Sequence, residues 1–102
     1  MVKISPNPDK RQEIIDILRT VRGVALAAPG CSSCSVYEEY DEAAIVYMER
    51  WDTEAEMKQH IRSPLYLRVL EAMELSDKTP EIIFYTVAKS DGIALISEVR
   101  GM

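Results

Sequence analysis

The stretch from Ala43 to Pro64 limits the fold most. An apolar run, Ala43 to Trp51, has the Ile, Val, Tyr and Trp content of a strand and stops abruptly at Asp52. A helix start follows at once. Thr53 with Glu56 three residues on has the S/T-x-x-E form of a capping box, in which each side chain satisfies a backbone donor of the first turn. Ser63-Pro64 repeats the signal, a cap residue and then a residue whose fixed φ and missing N–H suit the first helical position. One strand therefore feeds two short helices, about Glu54 to Ile61 and Pro64 to Leu75. Trp51, His60 and Tyr66 fall near the strand's end.

The remaining elements are arranged around that unit. Val2 to Ser5 is strand-like and is cut off by Pro6-Asn7-Pro8, where Asn7 can cap and Pro8 can begin a helix. Ile14, Ile15, Leu18 and Val21 then recur at the spacing of one buried helical stripe. Pro29-Gly30 signals a turn into a strand from about Ser33 to Tyr40, and Asp41-Glu42 connects it tightly to Ala43–Trp51 as a hairpin. Beyond a polar loop at Ser76–Pro80, the pattern predicts a strand over Ile82–Val87, a turn at Lys89–Gly92 and a last strand over Ile93–Val99. The order β-α-β-β-α-β is the α+β, ferredoxin-like split βαβ arrangement, an antiparallel sheet with both helices on one face. A chain of 102 residues is expected to form one domain, with a core at about 1–88 and an extra C-terminal strand at about 93–99.

Both faces of the strands are apolar. Ile45, Tyr47 and Trp51 alternate with Val46 and Met48, and Ile83, Tyr85 and Val87 alternate with Ile82 and Phe84. Helices on one side leave the other side bare, and soluble monomers rarely expose a broad apolar sheet. Pairing of two copies as a homodimer is the economical solution. The last strand is expected to complete the sheet edge against the partner.

A net charge of -5, with no basic cluster, argues against nucleic acid and anionic membrane as partners. No apolar run approaches the roughly 20 residues of a membrane span, and the N-terminus lacks the apolar centre of a signal peptide. The expected location is the cytoplasm, with Cys31 and Cys34 as reduced thiols. The C-x-x-C pair leads into a strand rather than a helix, so nothing there favours a thiolate. In extended chain its Cα atoms would lie about 10 Å apart, beyond disulfide reach, and a zinc site would need two more ligands where one histidine is present.

Pro29-Gly30-Cys31, a strand ending in Glu49-Arg50-Trp51, then Ala55, His60 and Ser63-Pro64 resemble the antibiotic biosynthesis monooxygenase domain, including bacterial quinol monooxygenases. The likeness runs from about Asp9 to Val87. It implies a dimeric α+β barrel, sheet face against sheet face, and a monooxygenase that oxidises a quinol or polycyclic phenol with molecular oxygen and no metal, flavin or haem. Haem-degrading relatives carry an axial histidine about ten residues after a tryptophan. In this chain the likeness puts His60 where that tryptophan would be and Leu70 where the histidine would be, which argues against haem.

A cofactor-free oxidation of this kind needs an apolar pocket, a proton acceptor and polar groups that hold the substrate. His60, with an ordinary pKa near neutrality, is the candidate base. Trp51, Tyr37, Tyr47 and Tyr66 are candidate aromatic walls and hydrogen-bond donors, and Glu49 shares the strand face of Tyr47 and Trp51 by period two. As a base near a helix end, His60 is expected to be removable with little loss of stability. The alternative is a dimeric barrel that binds a small apolar metabolite, or acts in regulation, without turnover.

Overall fold

The structure is a computed structural model and describes residues 1–101. Four strands, β1 (Val2–Ile4), β2 (Cys31–Glu39), β3 (Ala44–Trp51) and β4 (Glu81–Ile82), form one antiparallel sheet in the order β2-β3-β1-β4. The longest helix, α1 (Arg11–Ala25), follows β1, and α2 (Glu54–Arg62) and α3 (Tyr66–Glu74) follow β3. This is the α+β, ferredoxin-like arrangement read from the sequence.

Local chemistry explains each start and stop. Asn7 accepts from the Asp9 N–H and opens a 3-10 turn at Pro8–Lys10, which runs into α1. The helix buries the expected stripe of Ile14, Ile15, Leu18 and Val21 against Ile4, Ile45, Tyr47, Val69 and Ala72. That apolar layer between helices and sheet is the main driving force for folding. Thr53 Oγ1 accepts from the Glu56 N–H at 3.2 Å, so the capping box forms at the head of α2. At Ser63 the structure departs from expectation. Its hydroxyl donates to the His60 carbonyl at 2.6 Å and closes α2, and the next helix begins only at Tyr66.

The hairpin is in the register that a two-residue Asp41-Glu42 connection sets: Val36 opposite Tyr47, Tyr37 opposite Val46, Cys34 opposite Glu49. A bulge interrupts the ladder between Cys31 and Ser33. Gly30, at φ +84°, supplies the left-handed residue ahead of β2, and a Cβ there would lie 1.9 Å from Glu56 Oε2. Its carbonyl accepts from the Asp52 N–H at 2.8 Å, tying the loop to the end of β3.

The C-terminal part corrects two expectations. The run Ile82–Val87 pairs with β1 only at Glu81–Ile82, continued by reciprocal bonds between Met1 and Ile83. From Phe84 onward it leaves the sheet, with Phe84, Tyr85 and Val87 exposed. The expected strand over 93–99 is instead a helix, α4 (Ala94–Arg100), ended by Gly101 in the left-handed conformation. Ala, Leu, Glu and Arg favour helix, and a short apolar run fits either period, so local backbone bonds and a C-terminal glycine decide the outcome. None of the α4 side chains is buried in the single chain. No helix of the described residues is long and apolar enough to cross a membrane.

Candidate functional site

Period-two alternation on β3 sends Tyr47, Glu49 and Trp51 to the helix-covered face. There they meet His60 from the last turn of α2 and Tyr66 from the first turn of α3. Glu49 is the hub. Its Oε2 lies 2.6 Å from His60 Nε2 and also accepts from the Tyr47 hydroxyl, while Trp51 Nε1 donates to Oε1 at 3.1 Å. The indole N–H can only donate, and three groups converge on one carboxyl, as they would on an ionised acceptor. Side-chain exposure at the pair is low, 5% for His60 and 11% for Glu49.

The rings pack around this pair. His60 lies 4.8 Å from Trp51 between centroids in a tilted contact, and 5.5 Å from Tyr66 edge-on. Burial, and then the neighbouring Glu49 charge, push the Tyr47 hydroxyl far above its ordinary pKa and raise that of Tyr66 in the same direction. Both tyrosines therefore stay protonated across the physiological range.

A cavity of about 790 Å³ opens against this cluster. Tyr47, Glu49, Trp51 and Tyr66 contribute to its wall, with Phe84 and Tyr85 from the extended C-terminal segment opposite. His60 is not on that wall: it stands behind Glu49. A carboxylate has about four acceptor positions, and three are filled here, which leaves one on Oε1 for a ligand. Among the described residues, no group of three or more His, Cys, Asp or Glu side chains is placed to hold a metal.

Of the residues singled out from the sequence, His60, Trp51, Tyr47, Glu49 and Tyr66 come together. Tyr37 does not. It sits across the hairpin from Val46, on the opposite face of the sheet from Tyr47, where its hydroxyl donates to Met48 Sδ at 3.5 Å. One member of the network was missed: Cys34 Sγ donates to the Tyr47 hydroxyl at 3.4 Å. Tyr47 must give its only proton to the acceptor-only carboxylate, so the thiol is the donor in that contact. Its register opposite Glu49 was the available signal. Both cysteines are free, and burial raises the thiol pKa of Cys31 and takes that of Cys34 up to about 11.

A small α+β domain whose sheet and helices enclose a buried acid–histidine pair among aromatic rings, beside a sizeable cavity, defines the class. The family model for antibiotic biosynthesis monooxygenases matches residues 1–72, and the chain belongs to that family. A curated relative, the uncharacterised protein sll1783 of Synechocystis, is 30% identical over 89 residues; the match covers 85% of this chain and 60% of that protein's length. Among solved structures, Rv0793 of Mycobacterium tuberculosis matches with a TM-score of 0.72 at 25% identity, over 86% of this chain and 94% of that one. A conserved protein from Methanosarcina mazei matches with a TM-score of 0.72 at 28% identity, over 78% and 81%. A Deinococcus radiodurans protein has a TM-score of 0.80 over 90% and 93%, and at 17% identity it shows the fold alone.

Proposed function

We propose that the protein is a cofactor-independent monooxygenase that oxidises a quinol or polycyclic phenol with molecular oxygen, working as a homodimer. The observation that carries this reading is the Glu49 carboxylate on the cavity wall, with His60 bonded behind it and one acceptor position free. A substrate hydroxyl placed against Oε1 loses its proton to the Glu49 carboxylate, the base, whose other oxygen His60 holds by donating from Nε2. The resulting anion is a far better electron donor than the neutral phenol. Electron transfer to oxygen, recombination into a C–O bond and loss of water then convert a hydroquinone and O2 into a hydroxyquinone and H2O. One oxygen atom enters the product and the other leaves as water.

Other residues have simpler tasks. Trp51 and Tyr66 flank the ring, Tyr47 holds Glu49 in place, and the apolar part of the wall, with Val2, Met57, Ile82 and Ile83, lowers the local dielectric around the proton transfer. Dimerisation follows from the exposed apolar groups of the outer sheet face, Tyr37 and Met48, together with Phe84, Tyr85 and the α4 side chains. Tyr37 then belongs to that interface or to a substrate held at it.

Oxygen uptake tests the proposal. Metal-stripped protein incubated aerobically with a panel of benzo-, naphtho- and anthraquinols should consume oxygen above the autoxidation rate with at least one. Uptake at the blank rate throughout, together with binding of the corresponding quinones, would support the non-catalytic alternative.

A further inference from the structure

The Cys31 and Cys34 thiols have no part in the proposed reaction, and the structure sets them in an arrangement that a regular strand does not give. Residues three apart on a regular strand face opposite ways. Here the bulge between Cys31 and Ser33 adds a residue to β2, so that Cys31 lies opposite Trp51 and Cys34 opposite Glu49. Trp51 and Glu49 are two apart on β3 and share its helix-covered face, so both thiols stand on that face as neighbours. Cys34 belongs to the buried core and Cys31 packs against it, and both are free. Measured along the partner strand, their Cα atoms are about 6.6 Å apart, and side chains standing in parallel keep that spacing. It is wider than the roughly 3.5–4.5 Å between the Cβ atoms of a disulfide. Two metal–thiolate bonds of about 2.3 Å each close such a gap.

We infer that Cys31 and Cys34 form a two-coordinate site for a soft monovalent cation, of which the cuprous ion is the biological example. Thiolates select soft ions. Zinc and iron–sulfur clusters want a fuller ligand set, and nothing here completes one. His60 Nε2 is taken by Glu49, and among the described residues no three His, Cys, Asp or Glu side chains are grouped to hold a metal. A cation satisfied by two thiolates escapes that requirement. Cys31 is half-buried and its thiol makes a single weak bond, to the Ser33 carbonyl at 3.5 Å, so it is the point of entry, with the buried Cys34 behind it. Burial raises the pKa of both thiols, which keeps them protonated and slow toward alkylating agents until a cation displaces the protons. On binding, two S–metal bonds form, two protons leave to water, and no electron moves. The effect reaches Glu49: Cys34 Sγ donates to Tyr47 as a thiol, but as a bound thiolate it has no proton to give and competes with Glu49 for the Tyr47 proton.

The test needs no turnover, so its outcome is independent of the monooxygenase reading. Reduced, metal-stripped protein held without oxygen is titrated with cuprous ion buffered by bicinchoninate. Chelator absorbance gives the stoichiometry, and emission from Trp51, the only tryptophan and the residue opposite Cys31, reports the position. The expected result is one ion per chain, a change in Trp51 emission in proportion, and protection of both thiols from iodoacetamide. Silver ion, a redox-inert stand-in, should give the same stoichiometry. Cys31→Ser and Cys34→Ser should each weaken binding by about 10²-fold or more, the gain that a second linked ligand brings. Cys31→Ser carries the test by itself if loss of the buried thiol unfolds the chain. The inference is overturned if bicinchoninate retains all the copper, if Cys31→Ser leaves the affinity unchanged, if one ion bridges two chains, or if zinc binds as tightly as copper. Two ions per chain, with each single variant keeping one at the parental affinity, would equally overturn it.

Discussion

Replacing His60 is the most informative perturbation, because the buried pair makes its effect on stability as legible as its effect on turnover. The side chain is 5% exposed, wedged between Trp51 and Tyr66, and bonded to Glu49 at 2.6 Å. His60→Ala removes a ring from a packed site and one donor from a buried carboxylate. Truncating a buried aromatic and losing a charge-assisted hydrogen bond together cost about 2–4 kcal/mol, with water from the neighbouring cavity offsetting part of it. For a domain of this size that lowers Tm by about 10–20 °C at fixed protein concentration. The sequence-based expectation of little stability loss gives way to the burial.

A second variant separates the two effects. His60→Gln keeps an N–H donor of similar reach to Glu49. It should recover much of the lost Tm and most of the oxygen uptake, whereas Glu49→Gln, which removes the base, should hold uptake about 10² or more below the parent, since general-base contributions are typically 10²–10⁴. Thermal melts and oxygen-electrode rates on the same samples make the measurement. Full turnover in Glu49→Gln would refute the role of Glu49 as base, and an unchanged Tm in His60→Ala would refute the buried pair.

Three further outcomes are expected. Gly30→Ala forces a side chain into the left-handed region and against the Glu56 carboxylate, so chemical denaturation should show a loss of about 2 kcal/mol or more, and an unchanged midpoint would refute the close approach. The Cys34 thiol has its pKa raised from 9.0 to about 11, so the folded state holds that proton where the unfolded chain has lost it; stability should be fully present below pH 9 and fall as pH rises through 11, and Cys34→Ala should make that fall shallower, the raised Cys31, Tyr47 and Tyr66 groups supplying the rest. A chain ending at Lys89 loses α4, which buries nothing in the single chain, so truncation should weaken dimerisation seen by light scattering at micromolar concentration; an unchanged dimer affinity and Tm would show that α4 has no part in the interface.

How far the sequence discloses such a site depends on which contacts are local. The register of the hairpin was readable: counting outward from Asp41-Glu42 sets Val36 against Tyr47 and Tyr37 against Val46, although the strands stop at Glu39 and Ala44, a four-residue turn at 40–43 joins them, and the bulge between Cys31 and Ser33 left no local signal. That same count separates Tyr37 from the other aromatics, since neighbours along a strand face opposite ways. It also puts Cys34 beside Glu49, where period two alone gives no reason to look. Glu49 as the hub was less legible, because a strand glutamate is equally suited to a surface ion pair, and the approach of α2 that brings His60 to it is a long-range packing event. Ser63 shows the limit of local signals: its hydroxyl bonds backward to His60 O and ends one helix, while the same residue type before a proline reads as the start of the next. The C-terminal run shows the other limit. Ile93 to Val99 alternates well enough for a strand, but a strand needs a neighbour with free backbone groups, and a helix satisfies its own. The edge strand that would have received another is β4, only Glu81–Ile82 long and extended by no more than the Met1–Ile83 bonds, so the tail turns on itself. An apolar surface is thereby carried outward on α4 instead of being laid along the sheet.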